Sequence, residues 1–384
     1  MRFLLIILLL FQTIVSGQSS SQETAVSSAL AGNASENKRR GSRATTDVQY
    51  WSDFGLELIP ITDPYFDEKL VDAHIAKAKE VGATWVKIMF FESVIEPKKG
   101  QFNFQRSDYV VNNLRSAGFK LLGTLIETSP DNMYGGPSQD PGLSRPNDTD
   151  WWLRTALKII DRYRKDVHYW SIWMEPNVFG FSKDVNGYVR LLKDAYARIK
   201  QLDPTLKVIM AGPDGEGLPE APEDFLGWAE RFLKGVGKSP AFDIIDLHPF
   251  RYGTSPEVKI AGRRMIESIQ AYRKLFNRYG HQDKELWFTE VTWPTMGIYK
   301  GKDISISEED QAAYLKYVYE IPGKNPDLKI TNIFWADVQD WTMPPKAKKE
   351  EDPDQNNGLM RADGRPKKAF WVYKELSSKA KKQK

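Results

Sequence analysis

Eight short apolar runs, 30 to 49 residues apart from start to start, govern what this chain can become. They are FGLELI (54–59), TWVKIMF (84–90), FKLLGTL (119–125), HYWSIWM (168–174), LKVIMA (206–211), FDIIDL (242–247), ELWFT (285–289) and ITNIFWA (330–336). Each is nearly continuous in its apolar character, the pattern of a strand covered on both faces. Amphipathic stretches with helical spacing lie between them. DEKLVDAHIAKAKEVG ends on Gly82 and RSDYVVNNLRSAG on Gly118, and GYVRLLKDAYARIK and GRRMIESIQAYRKLFNRYG follow later. A last helix begins near Lys367 and contains AFWVYKEL. Glycine just past the final helical residue is a common helix end.

Strands alternating with helices imply a parallel sheet. Eight such units in one domain predict a (β/α)8 TIM barrel, an α/β fold. An open doubly wound sheet is the alternative. That fold usually carries a Gly-rich phosphate turn after its first strand, and FGLELIPITDP has none. GPDGEG (212–217) holds Pro213, Asp214 and Glu216, which make a poor phosphate cradle, and it reads as a loop.

The flanks read differently from this repeating unit. Arg2 precedes the apolar run FLLIILLLF, and the small residues Ser16 and Gly17 follow. This is the pattern of a secretory signal peptide over 1–17. The run is short for a membrane span, which needs about 20 apolar residues, so cleavage is expected to leave a protein with no membrane anchor, extracellular or periplasmic. Residues 18–47 are Ser-, Ala-, Thr- and Gln-rich with Lys38-Arg39-Arg40, too polar to bury a core, and read as a linker. The folded unit is expected at 48–378, and the Lys-rich end 379–384 as a solvated tail. Asn33-Ala34-Ser35 and Asn147-Asp148-Thr149 match glycosylation sequons, a pattern that also arises by chance.

Composition narrows the chemistry. The absence of Cys excludes disulfides, thiolate nucleophiles and Cys-ligated metals. A formal net charge of +3 over 384 residues gives no broad attraction to nucleic acid. The chain is rich in aromatic faces that can stack on a ligand, with 12 Trp, 16 Tyr and 19 Phe.

Active sites of barrels of this kind lie at the C-terminal ends of the strands. Four predicted strands end in or near a Glu: Glu92 after the second, Glu127 after the third, Glu175 after the fourth and Glu290 after the seventh. Trp293 and Trp335 also fall at strand ends. One strand-end Glu is as readily a salt-bridge partner as a catalyst. Four together favour chemistry that needs paired carboxylates and no metal, thiol or cofactor. Glycosidic bond hydrolysis is such chemistry: one carboxylic acid protonates the leaving oxygen, and a second carboxylate attacks the anomeric carbon or activates water.

The motifs carry a resemblance. WSIWMEPN is similar to the acid/base signature of clan A glycoside hydrolases, usually Trp-x-x-Trp-Asn-Glu-Pro-Asn, and ELWFTEVTW resembles that clan's nucleophile strand. GATWVKIMFFESVIEPKKGQFNFQRSDYVV resembles the second-strand region of families 39, 10, 42 and 5. NNGLMRADGRPKKAFWVYKEL resembles the endings of families 39 and 5. The similarity covers about residues 50–376. It implies a retaining double displacement with Glu290 as nucleophile and Glu175 as general acid, then base. It implies that His248 lines the site near the nucleophile and that Trp335 is the platform under the reacting sugar, although a structural histidine and a core tryptophan are the ordinary alternatives. Asn177, Trp293 and Glu127 join the expected substrate-binding set. Glu127 and Glu92 have no family role and read as hydroxyl acceptors or ion-pair partners.

Three positions depart from the clan's pattern. Met174 stands where the clan has an Asn that bonds the sugar 2-hydroxyl, and such bonds supply several kcal/mol in the transition state. Phe250 stands where some families have a Tyr touching the nucleophile, for which Tyr252 could substitute. Lys87 occupies a place where an Arg often supports the nucleophile, without the two-pronged guanidinium. These departures keep open a carbohydrate-binding barrel with weak or no catalysis. A metallohydrolase is disfavoured because His74, His168, His248 and His281 are scattered and no HExxH occurs. Carbohydrate is the expected partner and no cofactor is expected. WTMPPKAKKEEDPDQNN (341–357), after the eighth strand, is expected either to shape the substrate groove through Trp341 or to be a solvated charge run.

Overall fold

The structure is a computed structural model that describes residues 52–58, 66–136, 144–215, 225–249, 251–299, 302–341 and 353–383. Eight parallel strands form one sheet: β1 (Asp53–Glu57), β2 (Trp85–Phe91), β3 (Lys120–Ile126), β4 (Val167–Ile172), β5 (Lys207–Met210), β6 (Ile245–Asp246), β7 (Leu286–Val291) and, after a small antiparallel hairpin of β8 (Ile298–Tyr299) and β9 (Lys302–Asp303), β10 (Ile330–Ala336). Their order is β5-β4-β3-β2-β1-β10-β7-β6. A parallel bridge between Ile209 and Ile244 joins the two ends, so the sheet closes into the expected (β/α)8 barrel. Each of the eight apolar runs overlaps one of these strands.

The outer layer consists of α1 (Glu68–Val81), α2 (Glu92–Ile95), α3 (Gln105–Ser116), α4 (Thr149–Tyr163), α5 (Val185–Leu202), α6 (Phe225–Val236), α7 (Met265–Arg278), α8 (Glu308–Lys324) and α9 (Lys368–Gln383). Local chemistry sets their ends. Asp67 caps α1 by accepting from the Leu70 N–H, and Gly82 ends it at φ 88°. Gly118 follows α3 at φ 87°. Only glycine takes that left-handed conformation without steric cost. At the Lys-rich end α9 continues through Gln383, with Ala380 buried and Lys379, Lys381 and Lys382 exposed to solvent.

Strand alternation divides side chains between two environments. On β2, Val86, Ile88 and Phe90 face the helices, and Trp85, Lys87 and Met89 face the barrel interior. The N-terminal end of the interior is filled by Trp85, Leu122, Ile209, Ile244, Trp287 and Phe334, with Tyr169 against them. Trp85 meets Trp287 edge-on at 5.2 Å between centroids. Gly55 leaves room for this plug, since a Cβ there would come within 2.4 Å of the Phe334 ring. The interior is therefore solid at its base, and polar side chains collect above it. No described helix is long and apolar enough to cross a membrane. Residues 1–47, Phe250 and most of the 341–357 loop lie outside the described residues.

Candidate active site

The fourth strand ends at Ile172, and the chain turns sharply. Trp173 and Glu175 both take positive φ, at 77° and 41°. Non-glycine residues hold such angles only where their surroundings enforce them. Here Trp173 N–H donates to the Leu125 carbonyl at 2.9 Å, and its indole donates to the Phe179 carbonyl at 3.1 Å. The N–H groups of Val178 and Phe179 both donate to the Glu175 carbonyl. Asn177 clamps the turn from the other side: its amide donates to the Asp214 carbonyl at 3.1 Å and accepts from the Asp214 N–H at 3.0 Å. The Glu175 carboxylate is thereby aimed over the barrel mouth, with 6 % of the residue exposed.

Glu175, His248 and Glu290 meet there. Each offers one donor atom, and these atoms all lie within 4.8 Å of one another. His248 Nδ1 is 2.8 Å from Glu175 Oε1 and 3.8 Å from Glu290 Oε2. His248 Nε2 lies 3.0 Å from Thr289 Oγ1, and Thr289 Oγ1 donates to Asp246 Oδ2 at 2.6 Å. Asp246, fully buried, also accepts N–H bonds from Gly212, Leu247 and Thr289. Gly212 permits this approach, because a Cβ would sit 2.8 Å from both Asp246 Oδ2 and the His248 ring. From the barrel interior, Lys87 Nζ reaches Glu290 Oε2 at 3.4 Å and Glu57 Oε1 at 3.1 Å.

The electrostatics mark out Glu175. Burial raises the Glu175 carboxyl above its ordinary range, with the Glu290 charge adding to the effect and His248 and Lys87 opposing it. A carboxyl that keeps its proton is suited to donate one. Glu290 is the more open of the two, with 17 % of its side chain exposed, and faces the Lys87 ammonium. Burial alone would discharge His248, but bonds to Asp246 and Glu175 and nearby negative charge outweigh it and push the imidazole up to about 10. This has a consequence for stability. A group raised in the fold contributes stability fully below its unfolded value of about 6.5 and loses it as pH rises through its folded value. The difference in Tm between wild type and His248→Gln is expected to be largest near pH 6 and to shrink steadily toward pH 10. A constant difference across that range would show that the imidazolium charge contributes nothing.

The remaining expected residues divide into two groups. Trp335 and Trp293 are fully buried, and their indoles donate to the carbonyls of Asn357 and Thr254, each at 3.0 Å. Trp335 has no face open to solvent. Met174 packs with Met89, Phe91 and Ile126 in an apolar cluster beside the mouth. Tyr252 is half-buried against the main core. Glu127 and Glu92 form a separate buried group: Ser93 Oγ donates to Glu127, and Ser129 N–H donates to Glu92 at 3.3 Å. Trp341 lines a cleft of about 640 Å³ with Thr295, Glu308, Asn356 and Arg361.

Glu57, Asp246 and Thr289 belong to the site but were not among the residues singled out from sequence. Their signal is a polar residue inside an apolar run. Each occupies an inward position within an apolar run, where a charged or hydroxyl side chain must find a partner.

No family model matches the chain. A β-galactosidase from Lactobacillus acidophilus is 22 % identical over 157 residues, covering 34 % of this chain and 23 % of that protein. A family 39 glycoside hydrolase from the gut symbiont Bacteroides cellulosilyticus superposes with a TM-score of 0.63 at 19 % identity, over 85 % of this chain and 63 % of that one. A subfamily 18 member of glycoside hydrolase family 5 from Streptomyces cattleya, solved with GlcNAc, gives 0.62 at 11 % identity, over 88 % and 82 %. The chain thus spans about a quarter of the β-galactosidase and less than two thirds of the family 39 protein. In fold, this chain is a (β/α)8 barrel like those of glycoside hydrolase families 39 and 5.

Proposed function

We propose that this chain is a secreted retaining glycoside hydrolase that cleaves O-glycosidic bonds of a poly- or oligosaccharide. The observation that carries the reading is the meeting of Glu175, Glu290 and His248 at the barrel mouth, with the two carboxylates offering oxygens within 4.8 Å of each other. Retaining enzymes place their carboxyl groups about 5–5.5 Å apart, and inverting enzymes leave about 6.5–9.5 Å for a water. The likeness to glycoside hydrolase folds adds support. So does the β-galactosidase match, within its short span.

In this reading Glu175 protonates the departing glycosidic oxygen while Glu290 attacks the anomeric carbon, forming a glycosyl ester. Glu175, now ionised, takes a proton from water, and that water breaks the ester with the configuration restored. The His248 imidazolium, 2.8 Å from Glu175, stabilises the ionised form of the acid after proton transfer. The Lys87 ammonium, 3.4 Å from Glu290, sits against the nucleophile. Export rests on the N-terminal sequence alone, and N-terminal sequencing of protein recovered outside the cytoplasm would test it, with a mature start near residue 18 expected.

NMR of the first-formed sugar is the direct test of mechanism. The anomer released should match that of the substrate, and an inverted product would rule out the double displacement. A carbohydrate-binding barrel is the second reading. Met174, packed among Met89, Phe91 and Ile126, offers the sugar no hydrogen-bond donor where the clan's Asn would stand.

A further inference from the structure

The pair beneath the nucleophile is built with unusual economy. Phe54 and Leu56 pack outward against the helices, so alternation turns Glu57 into the barrel. Val86 and Ile88 likewise pack outward and turn Lys87 inward. The register of β1 against β2 sets Glu57 and Lys87 directly beside each other. Lys87 Nζ then stands 3.1 Å from Glu57 Oε1 and 3.4 Å from Glu290 Oε2. Glu57 and Lys87 are each only 1 % exposed.

Two carboxylates share one ammonium, and one of the two is the outer carboxylate at the barrel mouth. Glu57 gains little else: apart from the Lys87 ammonium 3.1 Å away, its oxygens have no hydrogen-bond partner among the described residues. A buried carboxylate held only through an ion pair is a poor way to stabilise a fold. An apolar residue facing the barrel interior would serve stability better. The charged groups around Glu57 all belong to the site: Lys87 from β2, Glu290 from β7 and His248 after β6. Lys87 in turn faces Glu57, Glu290 and Asp246 of β6, and Glu175 faces Lys87, His248 and Glu290. Burial and the Glu290 charge push the Glu57 carboxyl up, against the pull of Lys87, which agrees with two acids competing for one cation.

We propose that Glu57 is a positioning residue for the nucleophile, anchoring the Lys87 ammonium from below so that one cation is held against Glu290. The proposal rests on Glu290 being the nucleophile. A lysine carries a point charge on a flexible stem, so a fixed ammonium at this place needs a second carboxylate to hold it. Glu57 supplies that constraint from the neighbouring strand.

The test follows carboxyl-carbon NMR of glutamate-labelled full-length protein, with the Glu290 signal identified by its loss in Glu290→Gln. In wild type the Glu290 titration should carry an inflection from the titration of Glu57, as interacting sites do. Glu57→Gln should remove that inflection. With an activated aryl glycoside, Glu57→Gln should lower kcat by about tenfold to a hundredfold with KM little changed, the mark of a displaced catalytic group. Should Glu57→Gln not fold, Glu57→Asp retains the charge but draws it back by one methylene, and a weakened inflection with a smaller loss in kcat is expected. An unchanged Glu290 titration in either folded variant would overturn the proposal. So would a kcat equal to wild type in both. Full hydrolysis by Glu290→Ala would instead remove the nucleophile assignment on which it rests, so the two failures are distinguishable.

Discussion

Replacing Glu290 by alanine is expected to reduce hydrolysis of every substrate on the order of 10⁴-fold or more, as loss of a covalent nucleophile does elsewhere. At about 1.4 kcal/mol per factor of ten, that is at least about 5 kcal/mol of transition-state stabilisation. The reason lies in the path. Without Glu290 no glycosyl ester forms, and the carboxylate supported by Lys87 at 3.4 Å has no substitute at that place. Besides Glu175, Asp246 is an acid near His248, but it is fully buried and committed to the N–H groups of Gly212, Leu247 and Thr289. Good leaving groups should not spare the variant, because they assist departure and not attack. Loss on natural and activated substrates alike is the expected result. Hydrolysis near the wild-type rate would mean that the barrel works by another route or acts as a binding protein whose apparent activity has another source.

Glu175→Ala should fail in a different pattern. With a natural substrate, loss of the general acid is expected to cost about 10²–10⁴-fold. With an activated aryl glycoside the first step should stay fast, because a good leaving group needs little protonation. The second step then lacks its general base, and the glycosyl enzyme should accumulate as a burst of released phenol. Azide needs no base and should restore turnover, giving a glycosyl azide of retained configuration. His248 complicates the interpretation, since removing Glu175 takes away the partner 2.8 Å from its Nδ1. Glu175→Gln keeps a hydrogen-bonding side chain there and isolates the loss of proton transfer. If Glu175→Gln and Glu175→Ala both lack the burst and azide rescue, Glu175 is not the acid/base.

The contrast between the two variants also separates catalysis from binding. A carbohydrate-binding barrel would show no such asymmetry between substrates, because neither carboxylate would be transferring a proton or forming a bond. The packing of Met174 with Met89, Phe91 and Ile126 bears on rate and not on this pattern.

Much of the architecture was legible in the sequence because it follows from local rules. A strand buried on both faces must be apolar throughout, and eight such runs at βα spacing leave few ways to build a sheet. Gly82 and Gly118 marked helix ends because a left-handed residue there favours glycine. Strand ends were visible too, and with them Glu175 and Glu290, since an acid after a long apolar run stands out. The Lys-rich end was harder to place. Its charges suggested a solvated tail, and its lysines are exposed, but α9 runs on to Gln383 with Ala380 in the core.

Tertiary structure decided which strand-end acids share a site. Glu92, Glu127, Glu175 and Glu290 look alike in sequence, each placed just beyond an apolar run. Closure of the barrel brings Glu175 and Glu290 together around His248 and turns Glu92 and Glu127 into their own buried set with Ser93 and Ser129. Glu57 was hidden for a related reason, whereas Lys87 stood out as the residue in the place of a nucleophile-supporting Arg. Within a run covered on both faces, inward and outward positions are both apolar, so parity cannot be read until the sheet is assembled. Only the register of β1 against β2 sets Glu57 beside Lys87, and only the curvature of the closed sheet carries that ammonium to Glu290 on β7. The chain alone therefore determined the barrel and the acids at its rim. The distances that let two carboxylates, one imidazole and one ammonium act on each other arise from strands far apart in sequence, because Coulomb interactions depend on separation in space.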